Sequence, residues 1–350
     1  MISKLIRFKL YFLITVLFTF LAITGFAQGT NFDAFLRAGT DDANTLVRYY
    51  MEPLVVGFSY GMSNSWYNTA KTHKTLGVDL TITANVTSIP SSKEYFTFIP
   101  SEYSHVTSTG ETNQIPTIMS SDEDNGALLT FSYLEENSGE TISGTFSPAG
   151  LGIKEQFGYN VVPSPMIQLG IGTLKNTDII IRYTPQITYG EFQTSVFGMG
   201  IKHDIKQWIP GLKRVPIDVS VLAGFSGFDN RFDMSDLELD GENQEAIFNI
   251  NNWTVQGIVS KKISIITLYG AFGYSNVTSN LKMNGTYIIE DEVDPVLTFT
   301  VTNPIDLTYN ENSFRATGGL RFKFGPLTLH GDYTWQAYHI VSAGLGFNFR

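Results

Sequence analysis

The chain has 350 residues, with 23 basic and 33 acidic side chains, a formal charge of −10, 32 glycines and no cysteine. The missing thiols exclude disulfides, Cys-ligated metals and a lipid-anchored lipoprotein, and dispersed basic residues in an acidic chain argue against nucleic acid as a partner. Charged residues make up 16% and aromatics 13%, against about 25% charged in an average soluble domain, so the outer face is expected to meet something less polar than water.

The N-terminus reads MISKLIRFKLYFLITVLFTFLAITGFAQ, with Lys4, Arg7 and Lys9 ahead of an apolar stretch from Leu10 to Ile23. The small-x-small step Gly25-Phe26-Ala27 then leads into Gln28. That pattern predicts a secretory signal peptide over 1–27, cleaved after Ala27. The stretch is shorter than the roughly 20 apolar residues of a spanning helix. Its removal takes three basic residues and no acidic one, which moves the charge to −13.

Residues 28–74 form a lead-in of different character. DDANTLVRYYMEP (41–53) offers Asp41 and Asp42 as N-cap candidates and spaces Ala43, Leu46, Val47 and Tyr50 at helical intervals. The helix is expected to stop at Pro53. The Gly- and aromatic-rich VVGFSYGMSNSWYNTAKTHK follows and contains Trp66. Ahead of a barrel, such a segment is expected to plug the lumen or cap its mouth through Leu46, Val47, Tyr50 and Trp66.

From residue 75 to the C-terminus the chain alternates with period two. TLGVDLTITANV puts Leu80, Ile82 and Val86 opposite Asp79, Thr81 and Asn85. SFRATGGLRFKF (313–324) puts Phe314, Ala316, Leu320 and Phe322 opposite Arg315, Thr317, Arg321 and Lys323. Segments near 165–172, 178–185, 195–205, 216–228, 253–261, 263–276 and 326–335, with the terminal HIVSAGLGFNFR, behave alike. The shorter 94–100 and 128–134 bring the count to 12, and 281–289 with 296–301 would make 14. Many approach the roughly 9–11 residues of a tilted membrane strand. Prolines are expected outside the ladders.

A soluble sandwich would alternate equally well, but it has no reason to sort its loops. Counted back from the C-terminus, one side carries the short connections at 173–177, 206–215, 261–262 and 325–326. The other side carries 135–164, 229–252 and 277–312. Short periplasmic turns and long outer loops belong to outer-membrane barrels. The expected fold is therefore all-β, a transmembrane antiparallel barrel of 12–14 strands over 75–350, with an N-terminal plug or cap. Trp335 and Tyr338 would mark one rim, and Trp208, Phe347 and Phe349 the other.

The lumen-facing parity holds Arg182, Lys202, Arg315, Arg321, Lys323 and His330, with Asp79, Asp204, Asp218 and Asp332. Mixed signs point to internal pairing instead of a ring selecting one ion. His330 and Asp332 share a face and their spacing would suit an Asp-oriented imidazole, but a charge-balancing lumen pair is the simpler expectation. Lys202 to Asp204 read as a rim charge pair. No nucleophile elbow, P-loop or His-Glu-x-x-His occurs, so neither an enzyme nor a bound cofactor or metal is expected. The acidic run 229–245 (Asp229, Asp233, Asp236, Glu238, Asp240, Glu242 and Glu245 around Arg231) lacks calcium-loop spacing and reads as a solvated face.

The stretches SNSWYNTAKTHKTLGVDLTITANV and GIKHDIKQWIPGLKRVPIDVSVLAGF, with the terminal Phe-x-Phe strand, resemble a family of Gram-negative outer-membrane barrels of unassigned function. GMGIKHDIKQWIP more faintly resembles the FadL-type barrels, which carry hydrophobic compounds through 14 strands with an N-terminal hatch in the lumen. Their Asn-Pro-Ala hatch signature is missing, so no substrate site carries over. The resemblance implies a passive or gated transporter for a small hydrophobic or amphipathic solute. A structural or adhesive barrel binding a partner or cations through acidic loops is the alternative. The expected partners are outer-membrane lipid and the barrel-insertion machinery, which would read the C-terminal strand through Phe347 and Phe349, although Arg350 displaces the usual terminal Phe.

Overall fold

The computed structural model describes residues 34–109, 112–121, 128–134, 139, 141–235, 240–290 and 298–349. The expected signal peptide and Arg350 lie outside the described residues. Helix α1 spans Thr40–Met62. Ten long strands follow: β1 (Val78–Ser88), β2 (Val161–Gly172), β3 (Thr177–Tyr189), β4 (Phe192–Asp204), β5 (Asp218–Asp233), β6 (Gly241–Ile263), β7 (Ile266–Glu290), β8 (Ile305–Phe324), β9 (Leu327–Trp335) and β10 (Ile340–Phe349).

Each strand pairs antiparallel with its neighbour in the chain, and β10 returns to β1 from Val78↔Phe349 to Thr87↔Ile340. The sheet therefore closes, and the terminal strand is paired on both edges, by β1 and β9. Closure removes the edges that an open sheet exposes to other chains.

The expected 12–14 strands are corrected to ten among the described residues. The segments near 94–100 and 128–134 do not cross. They belong to short sheets, Tyr95–Thr97 with Gln114–Pro116 and Val106–Ser108 with Leu129–Leu134 and Thr141–Phe146, inside the insertion between β1 and β2. Residues 281–289 prolong β7, and Thr298–Thr302 is a short strand folded back on its upper end. The expected loops at 229–252 and 277–312 are largely strand, because their alternation continues past the membrane zone. Alternation reports two-sidedness and says nothing of how high a strand reaches.

The outward face nevertheless marks that zone. On β7 it reads Leu268, Gly270, Phe272 and Tyr274, then turns to Asn276, Thr278, Asn280 and Lys282. On β8, Phe314, Leu320 and Phe324 are exposed below, while Asn312, Asn310, Thr308 and Asp306 stand above. Those polar side chains bond across the two strands, as in Thr278 Oγ1 to Asn310 Oδ1 at 2.9 Å. Outward apolar runs thus end after about 9–11 residues, the length a tilted strand needs to cross a bilayer. Trp253, Phe314 and Trp335 lie exposed at the upper limit, with Trp208, Phe324, Phe347 and Phe349 at the lower. Tyr338 does not join the girdle, being buried against Tyr60 with ring centroids 5.8 Å apart. Among the described residues no helix is long and apolar enough to cross a membrane.

Helix α1 runs down the inside of this ring. Its start lies at the long-loop end, where Asn44 Nδ2 donates to Pro304 O at 2.8 Å and Arg48 to Thr308 O at 2.9 Å. Its end lies at mid-height, where Asn85 of β1 donates to Gly61 O at 3.1 Å. Two details depart from the sequence reading. The helix continues through Pro53 to Met62, because lumenal packing on all sides outweighs one missing N–H. Tyr50 O, in the turn before Pro53, accepts the Ile118 N–H of the insertion at 3.1 Å. The N-cap is Gly39, with no side-chain cap bond. Asp42 instead turns out to the insertion and accepts N–H bonds from Ser104, His105 and Val106 at 2.9, 2.7 and 3.1 Å.

Candidate functional site

The lumen is filled in three tiers. In the upper one, Leu46 and Val47 are buried with Phe98, Ile115 and Leu129 of the insertion, and Tyr50 packs on Phe35 at 5.2 Å. In the middle one, Phe58 meets Phe228 at 5.2 Å, Ser59 Oγ lies 2.7 Å from Ser279 Oγ of β7, and Tyr60 donates to Glu311 of β8 at 3.3 Å. On the opposite side the helix backbone packs directly on a β2 side chain: a Cβ added at Gly61 would overlap Ser164 Oγ.

Below Met62 the chain leaves the helix and meets two arginines. Arg182 of β3 is fully buried and donates to Met62 O at 3.0 Å, to Asn64 O, and to Gln168 Oε1 at 3.4 Å. Arg315 of β8, also fully buried, donates to Ser63 O and Oγ at 3.3 Å and to Asn64 Oδ1. The last carbonyls of a helix have no intrahelical donor and carry about half a negative charge. Two guanidiniums are held by that end. Trp66 lies flat beneath Arg182, 3.6 Å from guanidinium to ring, a cation–π contact strengthened by the dry surroundings. Its other face rests on Gly200 and Gly224, where an added Cβ would come within 2.8 and 3.1 Å of the indole. These two glycines are register partners on β4 and β5.

The lowest tier is ionic. Lys202 Nζ pairs with Asp178 at 3.0 Å, and His73 Nδ1 lies 3.0 Å from the same carboxylate. His73 Nε2 is 2.8 Å from Asn348 Nδ2 and 3.6 Å from Asp79, and Arg321 stands 3.7 Å from Asp79. Burial opposes a charge on His73, but the Asp178 and Asp79 carboxylates outweigh it and raise its pKa above 6.5. Lys323 joins this tier by donating to Asn348 Oδ1 at 2.7 Å. The remaining lumen candidates do not converge, and Asp218 begins β5 half-buried at the rim. Asp332 accepts from Tyr269 at 2.8 Å while His330 Nε2 lies 3.3 Å from Thr83, so the two side chains face different partners. Among the described residues no cluster of metal-ligating side chains occurs. In the acidic hairpin Arg231 pairs with Glu245 at 3.0 Å.

Two further features belong to the upper lumen. An apolar cavity of about 70 Å³ lies between Met51, Leu54, Val55 and Phe58 of α1 and the wall at Phe192, Phe232, Phe248 and Leu281. One strand beyond Phe192 the wall is incomplete. The β2–β3 ladder runs from Gly172↔Asp178 only to Gln168↔Arg182, so residues 161–167 and 183–189 face each other unpaired. Pro163, Pro165 and Pro185 lie within these strands, against the expectation that prolines avoid them. A proline has no N–H to give a ladder, and β3 slips register against β4 between Thr184 and Ile187. At 100° per residue Leu54 sits between Gly61, which faces β2, and Phe58, which faces β5 and β6. It therefore looks toward β3 and the gap.

A family model, described as a family of unknown function (DUF6588), matches residues 5–349. The chain belongs to this family. No curated protein matches it in sequence. Among solved structures it is similar to the attachment invasion locus protein Ail of Yersinia pestis (8% identity, 79% of this chain and 99% of that one, TM-score 0.26). It is also similar to the translocator domain of the autotransporter NalP of Neisseria meningitidis (11%, 87% and 97%, TM-score 0.27). A third is the outer-membrane transporter YddB of Escherichia coli (10%, 78% and 41%, TM-score 0.28). Likeness this low carries no function across, and the barrel reading rests on this chain's own closed sheet.

Proposed function

We propose that this family member is an outer-membrane barrel closed by its own N-terminal segment, and that it passes a small hydrophobic or amphipathic solute when α1 shifts. The outward apolar belt meets membrane lipid, the short-turn end faces the periplasm, and the insertion-machinery tag is β10. The role is passage and not catalysis, with lumenal charges paired or bound to the plug. The observation that carries the reading is the apolar cavity on α1, whose wall begins at Phe192 of β4, one strand away from the unpaired stretch of β2 and β3. A filled polar lumen alone would serve a purely structural barrel. An apolar cavity with an opening one strand away in the wall gives an apolar solute both a resting place and a route.

Ser59 and Ser279 allow a direct test, since their hydroxyls are 2.7 Å apart across the helix–wall contact. A Ser59→Cys/Ser279→Cys pair oxidised in proteoliposomes should cut uptake of a small aromatic hydrocarbon at least tenfold, and reductant should restore it. Equal uptake in both states would remove the moving plug. A static barrel, with its acidic hairpin at 229–245 binding a partner or cations, would take its place.

A further inference from the structure

Arg182 and Arg315 are the charged groups that the plugged state explains least. Both are at most 1% exposed, and among the described residues neither makes an ion pair. Their acceptors are the carbonyls of Met62, Ser63 and Asn64, the Ser63 hydroxyl and the amides of Asn64 and Gln168. Arg315 Nε has no acceptor at all. A buried guanidinium is costly unless a full negative charge or a complete set of acceptors meets it. Two of them, 133 positions apart in sequence, converge on one helix end that carries only a partial charge. If the helix end moves, as the proposed passage requires, both are left with no counter-charge nearby on the plug.

Their position is equally specific. Arg182 is the last residue of the β2–β3 ladder, so it stands at the foot of the unpaired stretch. Phe58, in the wall of the apolar cavity, is one helical turn above Met62, or about 6 Å. A molecule whose chain lay in the cavity would bring its head to the two arginines.

We propose that Arg182 and Arg315 form a head-group subsite for an anionic amphiphile, occupied in the closed state by the C-terminal carbonyls of α1. A carboxylate, sulfate or phosphate ester presents paired oxygens that guanidinium forks hold in bidentate fashion. Such a head competes with a helix end that offers neutral oxygens, while a neutral amphiphile cannot. The solute class thus narrows from apolar or amphipathic to amphipathic with one acidic head. This rests on the reading that the lumen admits a solute, and the experiment separates the two.

Trp66 supplies the reporter, being stacked on Arg182. Trp208, Trp253 and Trp335 are replaced by Phe, and the full mature chain is placed in phosphatidylcholine nanodiscs. Trp66 emission is then followed against decyl sulfate and decanol, with binding measured in parallel by calorimetry. Decyl sulfate should bind about tenfold more tightly, the scale of one charge-assisted bond pair, and it alone should shift Trp66 emission. Arg182→Gln and Arg315→Gln should each bring decyl sulfate down to the level of decanol. Where a Gln variant fails to insert, Arg182→Lys is read instead, and loss of most of the preference with the charge retained supports the fork geometry. Equal binding of the two amphiphiles, or a sulfate preference that survives substitution at both arginines, overturns the subsite while leaving passage of neutral solutes standing. Binding of neither amphiphile overturns both.

Discussion

The two flanks of α1 are held in different ways. Toward β7 and β8 the wall is tall and continuous, with 23 or more residues in β6 and β7, and the helix is attached by side-chain hydrogen bonds from Asn44, Arg48, Ser59 and Tyr60. Toward β2 and β3 the ladder breaks off, and the helix is held by close approach at Gly61. Polar attachments can be exchanged one at a time, for water or for another partner. Glycine contact tolerates no insertion. One flank therefore sets the height of the helix and the other sets how tightly it seals.

The largest effect that would sharpen this contrast comes from filling the glycine contact. Gly61→Leu must push the helix away from Ser164 and is expected to destabilise the plugged state by about 3 kcal/mol or more. Ser59→Ala on the other flank removes one hydrogen bond and should cost only about 1 kcal/mol. Hydrogen exchange over 40–62 would measure both, and equal effects would erase the distinction between the flanks. A second experiment closes the gap directly. Ile167→Cys with Tyr183→Cys, the first facing positions above Gln168↔Arg182, should reduce solute uptake several-fold on oxidation. A disulfide across Phe272 and Ala316, register partners in the tall sector, should leave it unchanged. If both or neither act, passage does not use the β2–β3 side.

The smallest effect concerns the short-turn mouth. His73 has its pKa raised by Asp178 and Asp79 against the opposing effect of burial. The stabilisation from its charged form is then complete below the unfolded value near 6.5 and is lost as pH rises through the higher folded value. The protection factors of amides 69–77, that is exchange corrected for its base-catalysed rise with pH, should accordingly fall on going from acidic to mildly alkaline pH. His73→Gln should flatten that dependence, and a profile identical in the variant would refute the assignment.

Much of the barrel was legible because its physics is local. Parity assigned Arg182, Lys202, Arg315, Arg321, His330 and Asp332 to the lumen, and the structure buries each of them. The register of β10 on β1 follows the same alternation. Strand number was not legible, since alternation continued into tall strands and recurred in the insertion at 106–146 without crossing. The lumen's actual partners were also hidden. Asn64, Asn85 and Asp178 gain their roles only when segments up to 278 positions apart in sequence meet, as Asn64 does with Ser342 at 2.9 Å. The glycine pair beneath Trp66 left one usable trace, two glycines on the inward parity of adjacent strands. Pro163, Pro165 and Pro185 left another, since three prolines in two adjacent strands mark a break in their shared ladder.

The course of α1 also constrains how the molecule is made. Residues 34–38 are packed among the insertion at one mouth of the barrel, and β1 starts at the other. Between them the chain threads the full height of the ring. Once β10 has zipped onto β1, such a segment, buttressed above by Phe146 and the short sheets around it, cannot be passed through the finished lumen. The wall must close around a helix already in place. The join between the first and last strands is then the step that traps it, and assembly itself fixes which way the plug points.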